Sequence, residues 1–110
     1  MVRKVILMKL TDQGIKDIKN APHRVGEAIT TFQNMGGKIL CFYAIEGKYD
    51  YMAVGEAPTE EIAMAFVTGL NALGNVRTTT SNAFTKEEFA GMINKCYECF
   101  QDAIDNRPGG

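Results

Sequence analysis

Residues 38–57 read KILCFYAIEGKYDYMAVGEA. Two runs rich in apolar, aromatic and β-branched residues flank Gly47-Lys48, and a Gly-X pair between such runs signals a two-residue β-hairpin. Residues 38–46 and 49–56 are therefore expected to be antiparallel strands. With Gly47-Lys48 as the loop, Glu46 faces Tyr49, Ile45 faces Asp50, Tyr43 faces Met52 and Cys41 faces Val54. This register places Asp50 on one face with Cys41, Tyr43, Met52 and Val54, and it places Tyr49 and Tyr51 on the other. Aspartate is disfavoured inside a strand, so Asp50 needs a structural or chemical reason to be there.

The remaining elements follow outward from the hairpin. Residues 3–10, RKVILMKL, form a strand whose alternating faces are both apolar, which implies cover on both sides. Between Ala21 and Met35, Val25, Ala28, Ile29, Phe32 and Met35 recur at helical spacing, with Pro22 in the first turn and Gly36-Gly37 as the stop. Pro58-Thr59 opens a second helix striped by Ile62, Ala63, Phe66, Val67, Leu70 and Leu73 and ended by Gly74. Residues 76–84, VRTTTSNAF, read as a polar, Thr-rich strand suited to a sheet edge or a wet cavity wall. Thr85-Lys86-Glu87-Glu88 is a capping box opening a helix over about 86–105, with Phe89, Met92, Ile93, Cys96, Tyr97, Phe100 and Ile104 on one stripe. The final RPGG is expected to fray.

The order β-α-β-β-α-β plus a last helix is the ferredoxin-like plan, an α+β fold with strand order 4-1-3-2. The whole chain, 1–110, reads as one such domain, with its core at about 3–84. Two helices cover one sheet face. The other face is also apolar, so the expected assembly is a homodimer closed sheet on sheet, a dimeric α+β barrel, with higher oligomers open.

Bulk composition narrows the function classes. The 110 residues carry a net charge of −1 with 23% charged residues, which gives no basic footprint for nucleic acid or an anionic membrane surface. No apolar run approaches the roughly 20 residues of a membrane span, and the start MVRKVILMKLTDQG lacks a signal-peptide core and cleavage site. A cytoplasmic protein is expected, with its three cysteines reduced.

The stretches ILMKLTDQGIKDIKNAP, GGKILCFY, GKYDYMAVGEAP and LGNVRTTTSNAFT together resemble the GYD domain family, named for the motif that stands here as Gly47-Lys48-Tyr49-Asp50. The resemblance covers roughly residues 3–95 in unbroken order, and the extension carrying Cys96 and Cys99 lies beyond it. It implies membership of the dimeric α+β barrel group and hence a homodimer. It implies no settled biochemical function. Fold-level relatives include small monooxygenases, isomerases and haem enzymes, and amino-acid-sensing domains of bacterial regulators with a similar hairpin near their effector site. Such likeness does not transfer chemistry.

In the 4-1-3-2 sheet the hairpin end is expected to gather Lys9, Lys48, Asp50 and Arg77. An aspartate among cations stays ionised, which suits an anchor or a pin better than a general acid. Asp50, Tyr43, Arg77 and Lys9 are the ligand-binding candidates, and Gly47, Lys48, Tyr49 and Asp50 are the structural hairpin. No catalytic residue, metal ligand set or cofactor site is read. His23, the only histidine, points away from its helical stripe. Cys96-x-x-Cys99 has redox or zinc-ligand spacing but sits within a helix and lacks a second pair. The preferred reading is a homodimeric module that binds a small molecule or another protein. The rival is a cofactor-independent or haem-assisted monooxygenase- or isomerase-like enzyme. An enzyme should present Tyr43 and Asp50 as an open polar pair in a deep pocket; a binding module should close Asp50 off in an ion pair or backbone cap.

Overall fold

The computed structural model describes residues 1–106, so the RPGG tail lies outside the described residues. The chain forms β1 (Val2–Leu10), α1 (Asp12–Lys16), a 3-10 turn (Ile18–Asn20), α2 (Ala21–Asn34), β2 (Lys38–Ala44), β3 (Tyr51–Ala57), α3 (Glu60–Leu73), β4 (Val76–Asn82) and α4 (Lys86–Asp105). The four strands make one antiparallel sheet in the order β2-β3-β1-β4, the ferredoxin-like arrangement.

Local chemistry sets the element ends. Thr59 caps α3 by accepting from Ile62 N, and Gly74 ends it at a φ of +84°. The capping box at α4 is formed, with Thr85 and Glu88 each bonding the other's backbone. Gly36 ends α2 at a φ of +89°.

The core lies between the sheet and helices α2 and α3. Ile6, Met8, Ala53 and Ala57 form its floor, and Phe32, Ala63, Phe66 and Val67 form its roof. Phe32 is 3% exposed, with its ring centroid 4.5 Å from that of Phe66. Gly37 and Gly55 make its socket: a Cβ there would sit 2.6 Å and 3.1 Å from the Phe32 ring. Loss of a buried aromatic of this kind costs about 3–5 kcal/mol.

The hairpin departs from the sequence reading at its tip. Cys41 pairs with Val54 and Tyr43 with Met52, as the register requires, but strand pairing stops at Ala44–Tyr51. A bond from Ile45 N to Asp50 O, 2.9 Å long, closes a loop wider than Gly47-Lys48 alone, and Gly47 carries its positive φ of +108°. Asp50 keeps the place opposite Ile45 that the register gives it, and its N–H bonds Met8 O at 2.8 Å on the β1 side. At the other end of the pair a β-bulge between Ile39 and Cys41 shifts the register. β4 ends at Asn82 rather than at Phe84.

Helix α4 does not fold back onto this body. Every residue of it is exposed, including Cys96 on its apolar stripe. The molecule measures 58 × 31 × 20 Å. A 20-residue helix is about 30 Å long, which accounts for much of the longest dimension.

Candidate functional site

The hairpin end of the sheet holds the residues that the sequence singles out. Asp50 N donates to Met8 O, and Asp50 Oδ2 accepts from Leu10 N at 2.8 Å. Tyr51 is already the partner of Met8 across the sheet, so Asp50 and Tyr51 both stand opposite that one residue. The ladder is bulged there, and β3 has no carbonyl to offer the last amide of β1. The Asp50 carboxylate supplies the missing acceptor.

The bulge also breaks the alternation of side chains. Tyr51 lies on the helix side, its ring 5.3 Å from that of Phe42. Tyr49 does not share that face. Its hydroxyl donates to Thr79 Oγ1 at 3.5 Å, and Thr79 pairs with Leu7 on the helix-free side. The Lys48 ammonium sits 5.7 Å from the Tyr49 ring centroid, a cation–π contact.

Lys9 and Arg77 are direct cross-strand partners, and both are exposed. Two like charges in that position repel, and among the described residues neither has an ion-pair partner. Of the two closures open to Asp50, an ion pair or a backbone cap, the structure shows the backbone one. Arg77 Nη1 donates to Asn71 O at 3.3 Å. Tyr43 stands apart on the edge strand, 60% exposed, in the row Tyr43–Met52–Leu7–Thr79. The structure thus brings Lys9 and Arg77 together, sets Asp50 beside them against the backbone, and leaves Tyr43 one row away.

A cleft of about 460 Å³ opens on the other side of the sheet, between α2 and α3. Met8, Tyr51 and Ala53 floor it, Val25 and Ala28 form one wall, and Gly69 and Leu70 form the other. It is apolar, and none of Asp50, Tyr43, Arg77 or Lys9 lines it. Among the described residues no group of His, Cys, Asp and Glu is placed to hold a metal ion. His23 pairs with Glu27 on the surface of α2, and Cys96 and Cys99 are free and exposed on α4.

Sequence reasoning missed two polar constructions. Asn71 ties α3 to β4, its amide nitrogen donating to Thr78 Oγ1 at 2.8 Å and its amide oxygen accepting from Thr78 N at 3.0 Å. At the end of the sheet away from the hairpin, Arg3 bonds both Glu56 and Glu88 at 3.1 Å, and Lys4 pairs with Glu60 at 2.6 Å. The Thr85 backbone N–H, the Arg3 guanidinium and the Thr85 hydroxyl, in that order, hold the Glu88 carboxyl below its ordinary value. The Arg3–Glu56 contact was readable once the β1–β3 register was known, because the two are cross-strand partners. Asn71 gave no signal, since an Asn near a helix C-terminus is unremarkable.

The sequence profile of the GYD domain matches residues 5–93. The chain belongs to the GYD domain family. The chain is also similar to a curated relative from Thermus thermophilus, the "Glutamine synthetase and cystathionine beta-lyase binding protein". It is 29% identical over 80 residues, spanning 72% of this chain and 84% of that one. Among solved structures, FFRP-DM1 superposes with a TM-score of 0.52 at 20% identity, covering 76% of this chain and 100% of the other. A hypothetical protein from Pyrococcus horikoshii gives a TM-score of 0.51 at 19% identity, over 78% of this chain and 93% of that one. Both likenesses speak to the fold alone. Among the described residues no helix of this GYD protein is long and apolar enough to cross a membrane.

Proposed function

We propose that this GYD protein is a homodimeric cytoplasmic module that docks on other proteins, with the helix-free face of its sheet as the self-association surface. The observation that carries this reading is the apolar block on that face. Val5, Val54 and Cys41 form one row and Leu7, Met52 and Tyr43 the next, across β1, β3 and β2. The two covering helices lie on the opposite side, and these side chains remain partly or largely exposed. Contiguous apolar surface of this kind marks a partner site. A second sheet stacked about 10 Å away would bury it.

The printed name of the Thermus relative, a binder of two enzymes, supports a protein partner. The exposed Lys9–Arg77 pair, at the margin of that face, is the proposed contact point, suited to an acidic group on that partner. The rival enzyme reading needs Tyr43 and Asp50 open together in a deep pocket. The commitment of Asp50 to Leu10 N, and the absence of both residues from the cleft lining, favour the module.

Light scattering of the purified protein at micromolar concentration tests the dimer. The expected mass is at least twice the 12.1 kDa of the chain, lowered by Met52→Glu. A monomer mass for the unaltered protein overturns the reading. Binding to purified glutamine synthetase and cystathionine β-lyase tests the docking role. An Arg77→Glu substitution should weaken an observed complex by roughly tenfold, the effect of about 1.4 kcal/mol.

A further inference from the structure

Besides the helix-free face of the sheet, two apolar surfaces have no partner among the described residues. One is the stripe of α4, where Phe89, Met92, Ile93, Tyr97, Phe100 and Ile104 are each between 41% and 60% exposed. The other is the half-open cleft between α2 and α3. We infer that α4 of one chain seats its apolar stripe in the α2–α3 cleft of a second copy.

The dimensions agree. The stripe from Phe89 to Ile104 runs about 23 Å at 1.5 Å per residue, and the cleft walls α2 and α3, at 14 residues each, are about 21 Å long. Gly69 and Ala28 stand on the facing walls, and a Cβ on Gly69 would meet nothing within 4 Å. A third helix laid between the walls has room at that position.

The helix cannot fill the cleft of its own chain. Ala83–Thr85 is all that joins β4 to α4, a link reaching about 11 Å when extended. The first turn is then held at the sheet by Arg3, which grips Glu88 and Glu56 together. Helix α3 packs beside β4 and stands between that anchor and the cleft. A helix is about 10–12 Å across, so the link is too short to carry α4 over it.

Charge points the same way. Beyond Lys95, α4 carries Glu98, Asp102 and Asp105 and no cation as far as Asp105. The Phe32–Phe66 contact narrows one end of the cleft, and the segment leading into α2 at the other end carries exposed Lys16 and Lys19 with Asp12 and Asp17, the latter paired with Arg24. With Asp17 held by Arg24, the acidic half of an incoming α4 faces Lys16 and Lys19. The area suffices as well. Six side chains of roughly 200 Å² each, half exposed, offer on the order of 600 Å² per helix. Two such insertions, counted with the surfaces they cover, reach the roughly 1,200–2,000 Å² of stable interfaces. The cleft lies on the side of the sheet opposite the proposed self-association face, so each contact can be lost without the other.

Disulfide trapping in the full chain tests this. Cys41→Ser and Cys99→Ser leave Cys96 on the stripe, and Gly69→Cys, or Leu73→Cys one turn along, places a thiol in the cleft. Mild oxidation is expected to give a covalent species of twice the chain mass on a non-reducing gel. Peptide mapping should show a 69–96 or 73–96 link, lost on Cys96→Ser. A link confined to monomers, failure of both positions, or only 96–96 pairing overturns the inference. In parallel, Ile93→Asp with Phe100→Asp should halve the assembly mass, in the wild-type and Met52→Glu backgrounds where each parent is oligomeric, with the circular dichroism of the sheet retained. An unchanged mass overturns the inference, as does a small apolar molecule found in the cleft by native mass spectrometry.

Discussion

Asp50→Ala is the substitution most revealing of what the hairpin geometry does. It removes the acceptor for Leu10 N, a 2.8 Å bond from a backbone amide to a carboxylate oxygen in a half-buried position. A hydrogen bond to a charged group contributes about 1.5–3 kcal/mol net, and a buried amide left without an acceptor costs a similar amount. Water can reach this partly exposed site and recover a share, so we expect a loss of about 2 kcal/mol. For a domain of this size that lowers the Tm by roughly 9 °C. Asp50→Asn keeps an oxygen acceptor and loses only the charge, so its cost should be about 0.5–1 kcal/mol. The assay is thermal unfolding at fixed protein concentration, since self-association would raise the Tm. Amide exchange at Leu10 supplies the local readout and should quicken selectively in Asp50→Ala. An unchanged Tm and unchanged Leu10 protection, together with loss of partner binding, would refute the structural role and restore Asp50 as an anchor for ligand.

Three further outcomes follow from other contacts. Asn71→Ala removes both bonds between α3 and Thr78 and should cost about 2 kcal/mol in chemical denaturation, with exchange quickening at Thr78. Gly14→Ala would place a Cβ 2.2 Å from the backbone oxygen of Asn75, and the forced movement of the α3–β4 turn should cost about 3 kcal/mol. The clamp on α4 should depend on pH. The folded-state value of Glu88 lies below its ordinary 4.5, so the contribution is present above the ordinary value and disappears as pH falls through the folded one. Helical circular dichroism and Thr85 amide exchange should report that loss, and Glu88→Gln should remove the dependence.

The strand order and the pairing of Cys41 with Val54 were legible because a two-sided apolar pattern and a hairpin signal leave few alternatives. The hairpin tip was not. Period-two reasoning assumes an unbroken ladder, and the doubled opposition of Asp50 and Tyr51 to Met8 breaks it, which is why Tyr49 and Tyr51 part company. The charged neighbourhood at the hairpin end was foreseen in its members, and a backbone cap by Asp50 was one of the two closures expected, though Leu10 was not readable as its partner. Lys9 meets Arg77 rather than Asp50, because the carboxylate satisfies an amide that no local pattern marks as orphaned. The amphipathic stripe of α4 was plain in the sequence, whereas its detachment from the body was not. A helical stripe announces that something apolar will cover it and says nothing about whether the cover is in the same chain.

The bulge between Ile39 and Cys41 has a bearing on how this molecule can grow. β2 and β4 are the two strands whose outer backbone is unpaired in the sheet. On β2 the bulge breaks the even spacing of hydrogen-bonding groups that an incoming strand would need. β4 offers a hydroxyl-rich run of Thr78, Thr79, Thr80 and Ser81 with Arg77 at its head. Extension of the sheet from copy to copy is thereby discouraged at its borders. Association is directed to surfaces above and below the sheet, where shape and charge select the neighbour. Such a protein can change partners through substitutions on its faces while its borders continue to guard against fibres.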